Sequence, residues 1–222
     1  MRKLLTATAV AALGFAGAAS ADTAAVAGTD LNLREGPGVW HDVVGVITGG
    51  DDVSVKGCIA DANWCEVTYG ELTGWAYGDY LAAKVGEEFQ PLYPNREEVG
   101  VAVIEAPAVD PAREGQNTAV GAGTGAAMGA LIAGPLGAVV GGAIGGTAGH
   151  AATEPEPAVI TYIEANPQEP VILDGEVVVG AGIPAEVTLY EIPDYAQYRY
   201  VVINNQPVLV DPESRQIVYI YR

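Results

Sequence analysis

Histidine and cysteine are almost absent from this chain. His41 and His150 are the two histidines, and Cys58 and Cys65 the two cysteines. Nucleophilic catalysis needs a nucleophile and a base brought together, and a zinc site needs three or four ligands at short spacings. The histidines fall in different segments, no serine stands in a G-x-S-x-G context, and no His/Cys/Asp cluster has metal spacing. The chain thus offers no catalytic set, no metal site and no cofactor motif, and a non-enzymatic role is expected. Positive charge is scarce as well: 10 Lys and Arg face 28 Asp and Glu, a net charge of −18. Such an excess repels nucleic acid and anionic headgroups at long range, so nucleic acid is excluded as a partner.

What is present begins with the features of an export signal. Arg2 and Lys3 form a positive end, Leu4 to Ala18 an apolar region too short to span a membrane comfortably, and Ala19-Ser20-Ala21 a small-x-small cleavage site. Cleavage between Ala21 and Asp22 removes two basic residues and no acidic ones, taking the net charge from −18 to −20. The expected location is the periplasm or cell envelope. In that oxidising compartment the two cysteines, with six residues between them, are expected to form a disulfide.

Beyond the signal (1–21) the chain divides into blocks. Residues 22–84 carry short alternating apolar runs separated by Gly36-Pro37-Gly38, Gly49-Gly50-Asp51 and Asp61-Ala62-Asn63, the pattern of a small all-β domain. Residues 85–117 contain several prolines and a net charge of −5, and are expected to form an extended acidic linker with brief structure around Val99 to Ile104. Residues 118–152 are glycine-rich. Residues 153–167 form a connector in which Ala158 to Ile163 has strand character. Residues 168–222 return to alternation, with Asn204-Asn205 and Asp211-Pro212 as turns between strands of a three-stranded meander. Six of the 11 tyrosines lie between Tyr190 and Tyr221, where they are expected to cover the small sheet.

The stretch Leu31-Asn32-Leu33-Arg34-Glu35-Gly36-Pro37-Gly38, followed by Gly74-Trp75 and Tyr80-Leu81, resembles the opening and closing signatures of bacterial SH3 domains. The likeness spans roughly residues 28–83, and Cys58 and Cys65 fall where that family has a hydrophobic or disulfide-linked hairpin. The resemblance implies a small β-barrel that binds peptidoglycan or a peptide ligand. Candidate ligand-binding residues are Trp40, Tyr77 and Tyr80, with Asp79 and Glu35 able to meet amino groups of a wall peptide. Trp64 and Trp75 are expected in the core. The C-terminal stretches Tyr200-Val201-Val202, Pro207 to Pro212 and Arg215 to Tyr219 resemble a short module of unknown function found in exported Gram-negative proteins.

The glycine-rich stretch 121–150 holds 11 glycines and no Asp, Glu, Lys or Arg. As a lone helix in water its glycines would cost on the order of 10 kcal/mol relative to alanine. Gly121, Gly125 and Gly129 are four apart, as are Gly137, Gly141, Gly145 and Gly149, with Gly134-Pro135 breaking the register. This resembles the glycine-zipper segments of envelope proteins, in which small faces permit close helix packing. The expectation is a hairpin of two short helices packed in a membrane, on the chain itself or in a homo-oligomer. The fold class expected is therefore multidomain α+β: an SH3-like barrel, a glycine-rich helical hairpin and a C-terminal antiparallel meander, joined by Pro- and Glu-containing linkers. Its role is envelope binding through the barrel; the alternative is a structural or pore-like oligomer driven by the zipper.

Overall fold

The alternating runs of the N-terminal block become strands in the computed structural model, which describes residues 22–107 and 154–222. The strands are β1 Thr23–Ala27, β2 Leu31–Arg34, β3 Val43–Ile47, β4 Asp52–Ile59, β5 Trp64–Tyr69, β6 Leu72–Tyr77, β7 Leu81–Val85, β8 Glu88–Pro91 and β9 Val103–Ile104. A single 3₁₀ turn, Gly78–Tyr80, links β6 to β7. The strands form one sheet in the order β3-β2-β6-β5-β4-β1-β7-β8, with β9 parallel to the end of β4. Bulges between Leu33 and Arg34 and between Val55 and Gly57 raise the local twist. The curled sheet encloses Leu31, Leu33, Ile47, Val55, Val67 and Leu81, all at most 1% exposed.

The block expected as an acidic linker is partly a component of this sheet. Residues 88–91 pair antiparallel with β7, and Val103-Ile104 pairs with Cys58-Ile59. Between them Leu92, Tyr93 and Val101 are buried. The Tyr93 hydroxyl donates to the carbonyls of Ile59 and Ala60, both at 2.9 Å, which pins the segment to the end of β4. Its apolar residues are too sparse to show a period, so only the partner edge makes them strand residues.

The C-terminal block contributes α1 Pro157–Ala165 and four short strands, β10 Tyr190–Glu191, β11 Arg199–Ile203, β12 Gln206–Val210 and β13 Ile217–Ile220, in the order β10-β11-β12-β13. The expected meander is present as β11–β13, with β10 added at one edge. Asn204 and Asn205 both adopt positive φ, 51° and 65°, in the two-residue turn that closes β11 on β12. The carboxylate of Asp211 accepts the amides of Glu213 and Ser214, organising the next turn. Where Ala158 to Ile163 had strand character, the chain is helical. Pro157 suits the first helical position, and Val159 and Ile163 are one helical turn apart and buried.

Alternation along β11 and β12 divides the C-terminal sheet into two faces. Tyr200 and Leu209 join Val159 and Ile163 of α1 and Ile192 in one cluster. Tyr162, Tyr195, Tyr198 and Tyr219 pack against that cluster, so these tyrosines do cover the sheet. Val201, Ile203, Val208 and Val210 point the other way, into a cluster continuous with the barrel core through Leu173, Val177 and Val178. Among the described residues α1 is the one α-helix, and no helix is long and apolar enough to cross a membrane. The export signal with its cleavage site, and the glycine-rich stretch with its seven spaced glycines, lie outside the described residues.

Candidate functional site

Residues 35–42 connect β2 to β3, and their shape follows from Arg34. Its guanidinium Nη1 donates to the carbonyls of Val39 (3.1 Å) and His41 (2.7 Å), so the loop closes around a buried cation. The amide of Glu35 donates to Asp42 O (3.0 Å) and that of His41 to Gly38 O (3.2 Å). Each glycine of the Gly-Pro-Gly motif carries a ring. A Cβ at Gly36 would lie 2.5 Å from the His41 imidazole, and one at Gly38 would lie 2.5 Å from the Trp40 indole. Gly38 also has φ of +150°, at the edge of what L-residues adopt. The loop therefore holds Trp40 against its own backbone and presents the other side of the indole to solvent, with 44% of the residue exposed.

Other exposed apolar side chains lie close by in the fold. Val43 and Val44 begin β3, which is an edge strand, and Leu72 of β6 packs over Gly45. Trp40, Val43, Val44 and Leu72 are four of the six large hydrophobic residues exposed among the described residues. An exposed indole, and in the following strand an open edge, are features that suit a sugar ring or an extended peptide.

Tyr77, Asp79 and Tyr80 stand elsewhere, around the 3₁₀ turn. Tyr77 packs edge-on against Trp64 (5.4 Å between ring centres) and at a tilt against Tyr80 (5.9 Å). Both tyrosines are buried, so in this structure they support the barrel rather than face solvent. Burial, reinforced by Asp79, pushes the Tyr77 hydroxyl up to about 12, and burial also raises Tyr80. Asp79 is half-buried and accepts from Asn63 Nδ2 at 2.6 Å. Burial raises its carboxyl above the ordinary range, with the Asn63 bond opposing the shift. The ring neighbour of Trp40 is His41, at 6.0 Å. The four candidates thus divide into one exposed aromatic and a separate, largely closed aromatic–acid group.

The disulfide lies beneath that second group. Cys58 and Cys65 are bonded and directly opposite each other on β4 and β5. A Cβ at Gly78 would stand 2.8 Å from Cys65 Sγ, which is why the 3₁₀ turn opens with glycine. Trp64 and Trp75 are in the core as expected. Among the described residues no cysteine is free and no group of three His, Cys, Asp or Glu could hold a metal ion.

One buried polar group has no counterpart in the motif reading. Glu176, 0% exposed, comes from the C-terminal block and meets Arg34, 2% exposed, at 2.7 Å from Nη2 to Oε1 and through Nε to Oε2. Asn32 Nδ2 donates to both Glu176 Oε1 (3.0 Å) and Gln206 Oε1 (2.9 Å), and Arg222 Nε donates to Asn32 Oδ1 (3.3 Å). The available sequence signal was an acid directly before the apolar run Val177-Val178-Val179, a residue type that is rarely buried without a partner.

Residues 29–82 match the bacterial SH3 domain family, and residues 162–222 match a domain of unknown function, DUF1236. The chain therefore carries a bacterial SH3 module and a C-terminal DUF1236 module. A stretch of 64 residues, 29% of this chain, is 33% identical to the "Putative N-acetylmuramoyl-L-alanine amidase YrvJ" of Bacillus subtilis (strain 168). That stretch spans only 12% of the relative's length, and the likeness is confined to the SH3 module of this chain. No solved structure matches the chain.

Proposed function

From a bacterial SH3 module at residues 29–82 we propose a non-enzymatic, exported envelope protein that binds peptidoglycan or a wall-derived peptide at the Trp40 face. The observation that carries this reading is the exposed indole, held outward by a loop built around Arg34. The name of the Bacillus relative supports a wall-related ligand. The net charge of −18 favours ligands with free amino groups over anionic polymers. Tyr77, Asp79 and Tyr80, gathered around the 3₁₀ turn, are not part of this face.

Pull-down of the mature protein with purified peptidoglycan tests the proposal. Retention is expected for the native chain and loss of most of it for Trp40→Ala. Equal retention of the two proteins removes the site. The spacing of the seven glycines in 121–150 extends the proposal to membrane or self-association. That part predicts sedimentation with membranes that resists high salt and yields to detergent.

A further inference from the structure

Within the contact between the SH3 module and the C-terminal module, one planar cation bonds both sides. The Nε and Nη2 edge of Arg34 is forked onto the two carboxylate oxygens of Glu176. The remaining nitrogen, Nη1, bonds the carbonyls of Val39 and His41, the residues on either side of Trp40. Glu176 is itself held by the side-chain amide of Asn32 and by the backbone amide of Val177 at 2.9 Å. A guanidinium is rigid and flat, so fixing one edge sets the direction in which the other edge points. Without its carboxylate the buried guanidinium would be strongly driven to find water or another anion. Either movement withdraws Nη1 from the loop carbonyls.

We infer that Glu176 of the C-terminal module is a positioning residue for the ligand face of the SH3 module: through Arg34 it holds the loop that presents Trp40. This gives the C-terminal module a function, that of keeping the neighbouring loop in its presenting shape. The inference rests on the Trp40 reading for its functional consequence, while the mechanical coupling stands on the hydrogen bonds alone.

The experiment uses the full chain labelled with 5-fluorotryptophan, whose three indoles give separate fluorine resonances. Trp40 is assigned from Trp40→Phe. In Glu176→Gln one arm of the fork meets an amide N–H in place of an acceptor. The Trp40 line is expected to broaden and its solvent accessibility to rise about twofold, with the Trp64 and Trp75 lines unmoved. If the presenting loop conformation then falls to roughly a fifth of the population, peptidoglycan binding weakens about fivefold. Arg34→Lys is the second arm: it keeps a cation against Glu176 but cannot reach both sides at once, and it should loosen Trp40 as well. Should Glu176→Gln fail to fold, Arg34→Lys decides by itself. Unchanged Trp40 lines in the folded variants, or equal broadening of all three tryptophans, overturns the inference. Absence of peptidoglycan binding in the native chain defeats the proposed function but leaves the Trp40 signal to decide the coupling.

Discussion

At the residue scale, the side chains divide between those that face solvent and those whose polarity is hidden. Trp40 is the large aromatic on the surface of the SH3 module, so its loss should cost little stability. Trp40→Ala is expected to change unfolding free energy by less than about 0.5 kcal/mol, as for surface sites generally, while removing ligand retention. Chemical denaturation beside the pull-down checks both. Asp79 gives a pH signature. Burial raises its folded-state pKa above the unfolded value, so the native state holds its proton more tightly. Stability then falls as pH rises from the unfolded to the folded pKa, and ionised Asp79 is a burden above that window. Asp79→Asn should therefore be at least as stable as the native protein near neutrality. Its advantage should shrink as pH drops toward 4, which paired urea melts at several pH values would show.

The elements show how close packing sets which residues are tolerated. Gly57, at the β4 bulge, lies under β9: a Cβ there would stand 2.6 Å from Ile104 Cγ2 and 2.8 Å from the carbonyl oxygen of Ala102. Gly57→Ala is expected to push β9 away and to break the bond from the Cys58 amide to Ala102 O. Faster hydrogen exchange at Cys58 would report this, and overpacking of this kind costs about 1–3 kcal/mol. Reduction of the disulfide should cost about 2.5 kcal/mol, because it releases an eight-residue loop in the unfolded chain. Parallel melts with and without reductant measure it. The motif glycines were legible as turn formers. That Gly36 and Gly38 each seat a ring was not, because the rings belong to residues that curl back only once Arg34 holds the loop.

At the scale of the whole molecule, the two modules share a core and a buried ion pair. Val201, Ile203, Val208 and Val210 of the C-terminal sheet belong to the same cluster of buried side chains as Leu31 and Leu33 of the barrel. The described modules should therefore unfold in one cooperative transition, seen as a single calorimetric peak whose van't Hoff and calorimetric enthalpies agree. Arg34→Ala removes the cation that is hydrogen-bonded to the buried carboxylate of Glu176 and is expected to cost about 3–5 kcal/mol. Two separate peaks in the native protein would show that the shared core does not couple the modules.

The sequence alone determined the signals that act over a few residues. Alternation marked most of the strands of both modules, Asn204-Asn205 marked the turn with two positive φ values, and the Leu31-to-Gly38 and Gly74-Trp75 signatures marked the SH3 module. These depend on backbone sterics and a period of two, which the chain carries locally. The tertiary structure decided what depends on a distant partner. Leu92, Tyr93 and Val101 left the linker because the end of β4 offered an edge and two carbonyls. Residues 157–165 coiled because Val159 and Ile163 found Tyr200 and Leu209 on the far face of a sheet. Glu176 found Arg34 across 142 positions, and no local pattern encodes a pairing between residues that only the folded chain brings together.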